Sequence, residues 1–380
     1  MENEKPMGLY VHIPFCASKC DYCDFVSYAM DEEAQKYYLD ALMLEIDKQK
    51  MKFYDKKFDS LYIGGGTPSV VFDGFIKKLS EKIFSSFSFA EKSEFTIEIN
   101  PASFTKEKLM EYCQAGVNRI SVGVQCLDER LLASHGRFQS NIQVQETFSL
   151  LKESKFENVS ADIMIGLPNQ SEESVMETLS FLIKHNVKHI SAYTIQVEKY
   201  TNLYNNISSG KMKKMPDKRV AALYKKIASE LNSAGFKRYE ISNYARPCFE
   251  SKHNQKYWDG TNYLGLGVSA HSFLDNHRIC NTKRLDIYID SMFEGRSAVF
   301  TREYITAKER KTEKVMLSLR TSKGLNLQEY QDEFGEDIKI TKHAQILNLI
   351  DKGFLVEENG YLKIPSNQMN VSNAIIVELI

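Results

Sequence analysis

The chain has 380 residues, a formal net charge of −1 and 26% charged residues, which gives no electrostatic sign of nucleic acid as a partner. Its 43% hydrophobic content suits a globular protein with a large buried core, and no apolar run approaches the ~20 residues of a membrane span. The opening MENEKPMGLYVH lacks a charged-then-apolar signal pattern, so the expected location is the cytoplasm, where clustered cysteines serve as metal or redox groups rather than disulfides.

Short apolar runs of strand character recur through the first half: LYVHI (9–13), SLYIG (60–64), FTIEI (95–99), RISVGV (119–124), VSADIMI (159–165) and HISAYTI (189–195). Helical patterns lie between them. Leu39, Leu42, Met43 and Ile46 share one face of a helix over 32–50, and a helix over 104–115 stops at Gly116, a residue suited to the left-handed cap. Residues 201–216, TNLYNNISSGKMKKMP, read as a polar linker or surface loop. A further helix begins near Asp217, turns Val220, Leu223, Tyr224, Ile227 and Leu231 inward, and closes at Gly235. The last 75 or so residues read as a separate unit, with helices near 307–319, 326–334 and 341–352 and a hairpin about Asn359-Gly360. That order resembles a winged helix, but no basic periodicity supports DNA binding. Strand alternating with helix predicts parallel α/β architecture.

Each strand runs directly into polar or glycine-rich residues at its C-terminal end. The first leads to Cys16, Cys20 and Cys23, the second to GGGTP (64–68), and the third to Glu98 and Asn-Pro. The fourth leads to Gln125, the fifth carries Asp162, and the sixth meets Gln196 and Glu198. Parallel sheets and barrels build their sites from that end, so six units direct their chemistry to one mouth. With two units fewer than the usual eight, the barrel is expected to be incomplete.

The three clustered cysteines are fewer than the four ligands of a structural zinc site. A [4Fe–4S] cluster held by three thiolates would leave one iron open to an exogenous ligand. Zinc completed by a distant residue such as His12, or three structural cysteines, are the alternatives that spacing leaves open. The other four, Cys113, Cys126, Cys248 and Cys280, read as small buried hydrophobes.

The C-x3-C-x2-C spacing, with Tyr22 before the last cysteine, resembles the signature of the radical S-adenosylmethionine (SAM) superfamily. LYVHIPFC, YIGGGTPS, EINP, NRISVGVQ and ADIMIGLPNQ extend the resemblance, in order and spacing, to the family of oxygen-independent coproporphyrinogen III oxidases over almost the whole chain. The resemblance implies a partial (β/α)6 barrel, a [4Fe–4S] cluster on Cys16, Cys20 and Cys23, and SAM at the unique iron. It also implies that Tyr10 and Tyr22 contact SAM beside the cluster loop. Gly65, Gly66 and Thr67 would let backbone approach its amino-acid moiety, and Glu98, Gln125, Arg137 and Asp162 match further SAM-contacting positions.

The oxidases of this family carry another cysteine two residues beyond the third, where this chain has Phe25, and an N-terminal extension before the first strand. HNQKYW (253–258) instead resembles the H-N-x-x-Y-W signature of the HemW-type haem chaperones. That implies His253 as an axial haem ligand, with Tyr257 and Trp258 against the macrocycle; the plainer reading is a core histidine. GLGVSA (265–270) imitates a dinucleotide fingerprint without its third glycine, and His271 after it is a secondary haem-ligand candidate. The expected protein is therefore a carrier of haem with SAM-cleaving capacity. Its expected partners are a haem acceptor, respiratory or membrane-bound among the options, and an electron donor such as a flavodoxin or ferredoxin. Anaerobic decarboxylation of coproporphyrinogen III is the alternative. The expected division is a radical SAM core over 1–236 and a C-terminal domain over 237–380.

Overall fold

The computed structural model describes residues 5–380, so residues 1–4, on which part of the signal-sequence reading falls, lie outside the described residues. Six strands, β1 (Met7–Ile13), β2 (Lys57–Gly65), β3 (Ser88–Ile99), β4 (Arg119–Gln125), β5 (Val159–Ile165) and β6 (His189–Thr194), pair in parallel in chain order. This is the expected partial barrel. Leu9, Val11, Ile13, Leu61, Ile63, Ile97, Val122, Ile163 and Ile190 pack outward beneath the helices and are almost wholly buried. Alternate positions point into the barrel and are polar or aromatic, because a strand sends successive side chains to opposite faces.

Helix boundaries follow local chemistry. In the helix Glu32–Lys50, the Asp31 carboxylate accepts from the Ala34 N–H at 3.0 Å. Glu32 and Glu33 open that helix, while Lys48 and Lys50 close it, each complementing the helix dipole. Leu39, Leu42 and Ile46 are buried as the periodicity requires, joined by Tyr38, while Met43 is half-buried. The helix Lys106–Ala115 ends at Gly116 with φ of +86°, the left-handed conformation expected there.

The sheet does not stop at six strands. β7 (Lys237–Arg238) and β8 (Asn243–Ala245) add antiparallel strands beyond β6. On the other side β9 (Tyr263–Leu266) joins β1 in parallel, followed by antiparallel β10 (His271–Leu274), β11 (His277–Asn281) and β12 (Val299–Tyr304). The stretch that imitates a dinucleotide loop is thus a seventh parallel strand and its exit. The 12-stranded order has two free ends, so hydrogen bonding does not close the barrel.

Tyr244, Leu264, Leu266, Leu285, Tyr288 and Met292 belong to the barrel's core, whereas a second core begins at Val315 and runs to Leu379. We propose to divide the chain near residue 305 instead of at 236/237, because residues 243–304 share the sheet and core of what precedes them. The smaller unit contains the hairpin β14 (Val356–Glu358) and β15 (Tyr361–Lys363) with β13 (Leu325–Asn326). Asn359 and Gly360 both take positive φ, as a two-residue hairpin turn demands.

Two local expectations are corrected. Residues 202–208 are not loop: the helix Asn202–Ser208 forms, with the Thr201 hydroxyl accepting from the Tyr204 N–H and Leu203 fully buried. Cys113 and Cys248 are exposed, Cys113 on the outer face of its helix, while Cys126 and Cys280 are buried as expected. Among the described residues no helix is long and apolar enough to cross a membrane.

Candidate functional site

The cysteine loop leaves β1 and returns at Tyr28, closed by Cys16 N–H to Tyr28 O (3.1 Å) and Tyr28 N–H to Pro14 O (2.7 Å). A turn from the Cys23 N–H to Cys20 O shapes its tip. Two outside supports hold Asp21: its N–H donates to His135 O, and its carbonyl accepts from the Leu203 N–H. The supposed linker is therefore a buttress of this loop. Tyr22 packs beside Leu131, Leu132, Leu167 and Leu203, and its buried hydroxyl has no hydrogen-bond partner.

All three loop cysteines are partly buried free thiols. Burial pushes the Cys16 thiol up and holds Cys23 at about 11, with the neighbouring sulfurs acting in the same direction. Stable thiolates here need a cationic centre. Among the described residues no three His, Cys, Asp or Glu side chains are gathered for a single ion. In particular, His12 is not placed to complete a zinc site. Its Nε2 faces Val26 O at 3.2 Å and must carry the proton, so Nδ1 accepts from the Tyr10 hydroxyl at 3.0 Å. A cubane, which takes each thiolate on a different iron, tolerates a wider spread of sulfurs.

The glycine loop after β2 is stitched to the cysteine loop. Gly66 N–H donates to Ile13 O (2.8 Å), Thr67 N–H to Phe15 O (2.7 Å), and the Thr67 hydroxyl lies 3.4 Å from Cys16 Sγ. A Cβ on Gly66 would stand 2.7 Å from Phe15 O, which explains glycine there. Gly65 N–H donates to Glu98 at 3.2 Å. The N–H groups of Gly65, Gly66 and Thr67 are thus committed, and the loop has carbonyl oxygens to offer, a surface suited to a donor such as an ammonium.

Inside the barrel lie Tyr10, Tyr62, Glu98, Asp162 and Tyr193, from β1, β2, β3, β5 and β6. Tyr62 donates to Glu98 at 2.7 Å, and Ser121 donates to both oxygens of Asp162 at 3.2 Å. Burial raises Glu98 to about 7, opposed by the Tyr62 hydroxyl and Gly65 N–H and assisted by Asp162. Burial also raises Asp162, against Ser191, Arg119 and Ser121. Two carboxylates held this way await a positive or proton-donating ligand. Across the mouth, Arg137 donates to Gly123 O and, at 3.0 Å, to Gln139 Oε1. Arg137 and Gln125 converge over Gly123, where a Cβ would meet their nitrogens at 3.0 and 3.2 Å. Gln125 itself takes φ of +62° where the β4–β5 register shifts.

His253 borders the same space from the N-terminal end of the barrel, its ring 5.2 Å from that of Tyr62. The helix Lys252–Asp259 plugs that end, with the Ser251 hydroxyl and the Lys252 and His253 N–H groups all donating to Glu94. His253 is 1% exposed. Its Nδ1 pairs with the Ser60 hydroxyl (3.0 Å) and its Nε2 with the Tyr257 hydroxyl (2.9 Å), and burial lowers it to about 3. Both ring nitrogens of His253, the residue expected as an iron ligand, are therefore hydrogen-bonded in this arrangement.

A cavity of about 500 Å³ runs from Tyr10, Gly65 and Glu98 past Tyr62 to Tyr257, Tyr263, His271 and Lys283. Phe25 forms part of its wall, as does Tyr257, but Trp258 does not. Sequence reading missed Tyr62, Tyr263 and Lys283. Tyr62 was within reach, since it sits two residues before Gly64 on the inward face of β2; the others depend on strands that carry no strong pattern.

The sequence pattern of the Radical SAM superfamily matches residues 10–182, and that of the HemN C-terminal domain residues 305–367. The chain is 32% identical to the haem chaperone HemW of Bacillus subtilis over 91% of this chain and 92% of that protein. It is 30% identical to HemW of Lactococcus lactis over 97% of this chain and 99% of that one. The chain belongs to the HemW family. This HemW-family chain also has the fold of coproporphyrinogen III oxidase (HemN) from Escherichia coli, a radical SAM enzyme, with a TM-score of 0.86 at 22% identity over 99% of this chain and 90% of the other.

Membership of the superfamily implies a [4Fe–4S] cluster and SAM, and the residues fit both. Three partly buried thiols share one loop, an orphaned Tyr22 hydroxyl stands beside them, and two raised carboxylates face the mouth. Cys16, Cys20 and Cys23 would hold the cluster. Of the residues expected to contact SAM, Tyr10, Gly65 and Glu98 line the cavity. Bound together, the two groups supply one-electron cleavage of the sulfonium; the protein's own residues hold, orient and exclude water.

Proposed function

We propose that this chain binds haem and passes it to an acceptor protein in the cytoplasm, with the [4Fe–4S]/SAM core as part of the same machine. The observation that carries this reading is the single cavity joining the SAM-facing residues Tyr10, Gly65 and Glu98 to the wall formed by Phe25, Tyr257 and Tyr263. Its size and its aromatic lining suit a flat apolar macrocycle. The relatives of the same family named as haem chaperones support the same assignment. The acceptor is a haem protein, with respiratory and membrane-bound proteins among the candidates. A flavodoxin or ferredoxin is the kind of electron donor the cluster would use.

The test uses anaerobically reconstituted full chain. Titration with hemin is expected to give a saturable Soret shift, and mixing the loaded protein with an apo-cytochrome is expected to move the absorbance to the acceptor. In a parallel incubation with coproporphyrinogen III, SAM and reductant, no protoporphyrinogen is expected. Stoichiometric decarboxylation, or no Soret shift with hemin, overturns the reading.

A further inference from the structure

Three histidines border the cavity: His12, His253 and His271. An iron ligand needs an imidazole nitrogen with its lone pair free and a path for the metal. His12 spends one nitrogen on Val26 O and the other on the Tyr10 hydroxyl. His253 has both nitrogens bonded and is sealed in the plug. His271 differs on both counts. It is exposed, its Nε2 meets only the Cys280 thiol at 3.3 Å, and its Nδ1 makes no hydrogen bond. A thiol is a weak partner, so little stabilisation is lost when that contact yields to a metal.

The sheet explains why this histidine faces open space. Tyr62, Tyr10 and Gly265 are register partners across β2, β1 and β9, and therefore point to one face. Phe273 pairs with Tyr263, which puts His271, two residues earlier, on that same face beside its partner Cys280. The row reads Tyr, Tyr, Gly, His. Glycine is required at 265 because the His271 backbone closes over it: a Cβ there would stand 2.2 Å from His271 O. Lys283 lines the same wall and makes no ion pair among the described residues.

We propose, resting on the haem-binding reading above, that His271 is the residue of this chain that ligates the haem iron, with the macrocycle against the Tyr257 and Tyr263 wall of the cavity and Lys283 facing a propionate. His253 then acts as a positioning residue that holds the plug helix under Tyr10 and Tyr62.

The experiment titrates hemin into full-length, cluster-loaded protein and reads the Soret band and the resonance Raman iron–ligand modes. Wild type is expected to bind hemin with an imidazole-type spectrum. H271A is expected to bind at least tenfold more weakly and to lose that spectrum while keeping its iron and sulfide content. H271G is expected to regain the spectrum when free imidazole is added, a rescue that a merely structural role would not give. H253A is expected to keep the imidazole-type spectrum, and K283E to keep it with weaker affinity. If H271A matches wild type, or if C280S abolishes the spectrum while H271A does not, His271 is not the ligand. If wild type itself fails to bind hemin, the haem-binding reading falls first.

Discussion

Glu98 joins two features of the site: it buttresses the glycine loop through Gly65, and its ionised form is disfavoured by burial. Its acidity is shifted from the ordinary 4.5 up to about 7, so across that window the folded chain keeps a proton that the unfolded chain releases. Its contribution to stability is therefore greatest below pH 4.5 and is lost as pH rises towards 7. In E98Q, urea unfolding should show a flatter pH dependence and a gain of order 2 kcal/mol at pH 8 for the SAM-free protein. SAM carries the opposite charge, so its affinity for wild type should weaken by up to about tenfold per pH unit below 7, a trend E98Q should lack. The groups that face Glu98 and set this behaviour are Tyr62, Gly65, Asp162 and Arg119. The position of Glu98 was legible because it stands at the C-terminal end of a strand and matches a SAM-contacting position of the family it resembles. Its shifted acidity was not, since that depends on Asp162 and Arg119 from other strands.

The helix Asn202–Ser208 shows how far support for a site can lie from its motif. Its sequence is polar and contains two adjacent asparagines, so propensity argues for loop. Packing prevails: Leu203 is buried among the residues beside Tyr22, and the Leu203 N–H fixes Asp21 between Cys20 and Cys23. L203A should cost about 2–4 kcal/mol in chemical denaturation and lower the iron and sulfide retained per chain. T201A, which removes only the cap, should cost about 1 kcal/mol and leave cluster content near wild type. Equal loss of cluster in both variants would mean that the helix as a whole, and not the Leu203 contact, holds the loop. The long strands were readable because they are buried on both faces and spell apolar runs. β9 was not, because four residues containing a glycine carry too little pattern, and its place beside β1 is set by a partner more than 250 residues away.

At the scale of the molecule, two cores meet in part through polar contacts, the Ser322 N–H to Tyr239 O (3.0 Å) and Arg238 to Asn370 (3.1 Å) among them. Arg278 of β11 pairs with Glu313 at 2.6 Å, and Arg310 lies 5.1 Å over the Phe273 ring while also reaching Glu333 at 3.3 Å. Such an interface couples two units without fusing their cores. The double variant R278A/R310A is expected to leave the hemin spectrum unchanged, because no cavity residue comes from beyond Lys283. Calorimetry should nevertheless separate its melting into two transitions where wild type shows closer coupling. A single unshifted transition would mean that the apolar contacts alone dock the smaller unit.

The sequence alone determined the parallel strands, the loops at their C-terminal ends, the cysteine trio and the family, since each is written in residues adjacent along the chain. Phe25 is an instance: a residue that departs from the oxidases by its type is, in the fold, a wall of the cavity. Only the tertiary structure decided which histidine has a free nitrogen. His253 stands in the motif, yet Ser60 from β2 and Tyr257 from its own helix occupy its ring; His271 follows a discarded motif, yet faces open space. A residue's type is local, but the occupation of its lone pairs is set by neighbours that folding brings from distant parts of the chain.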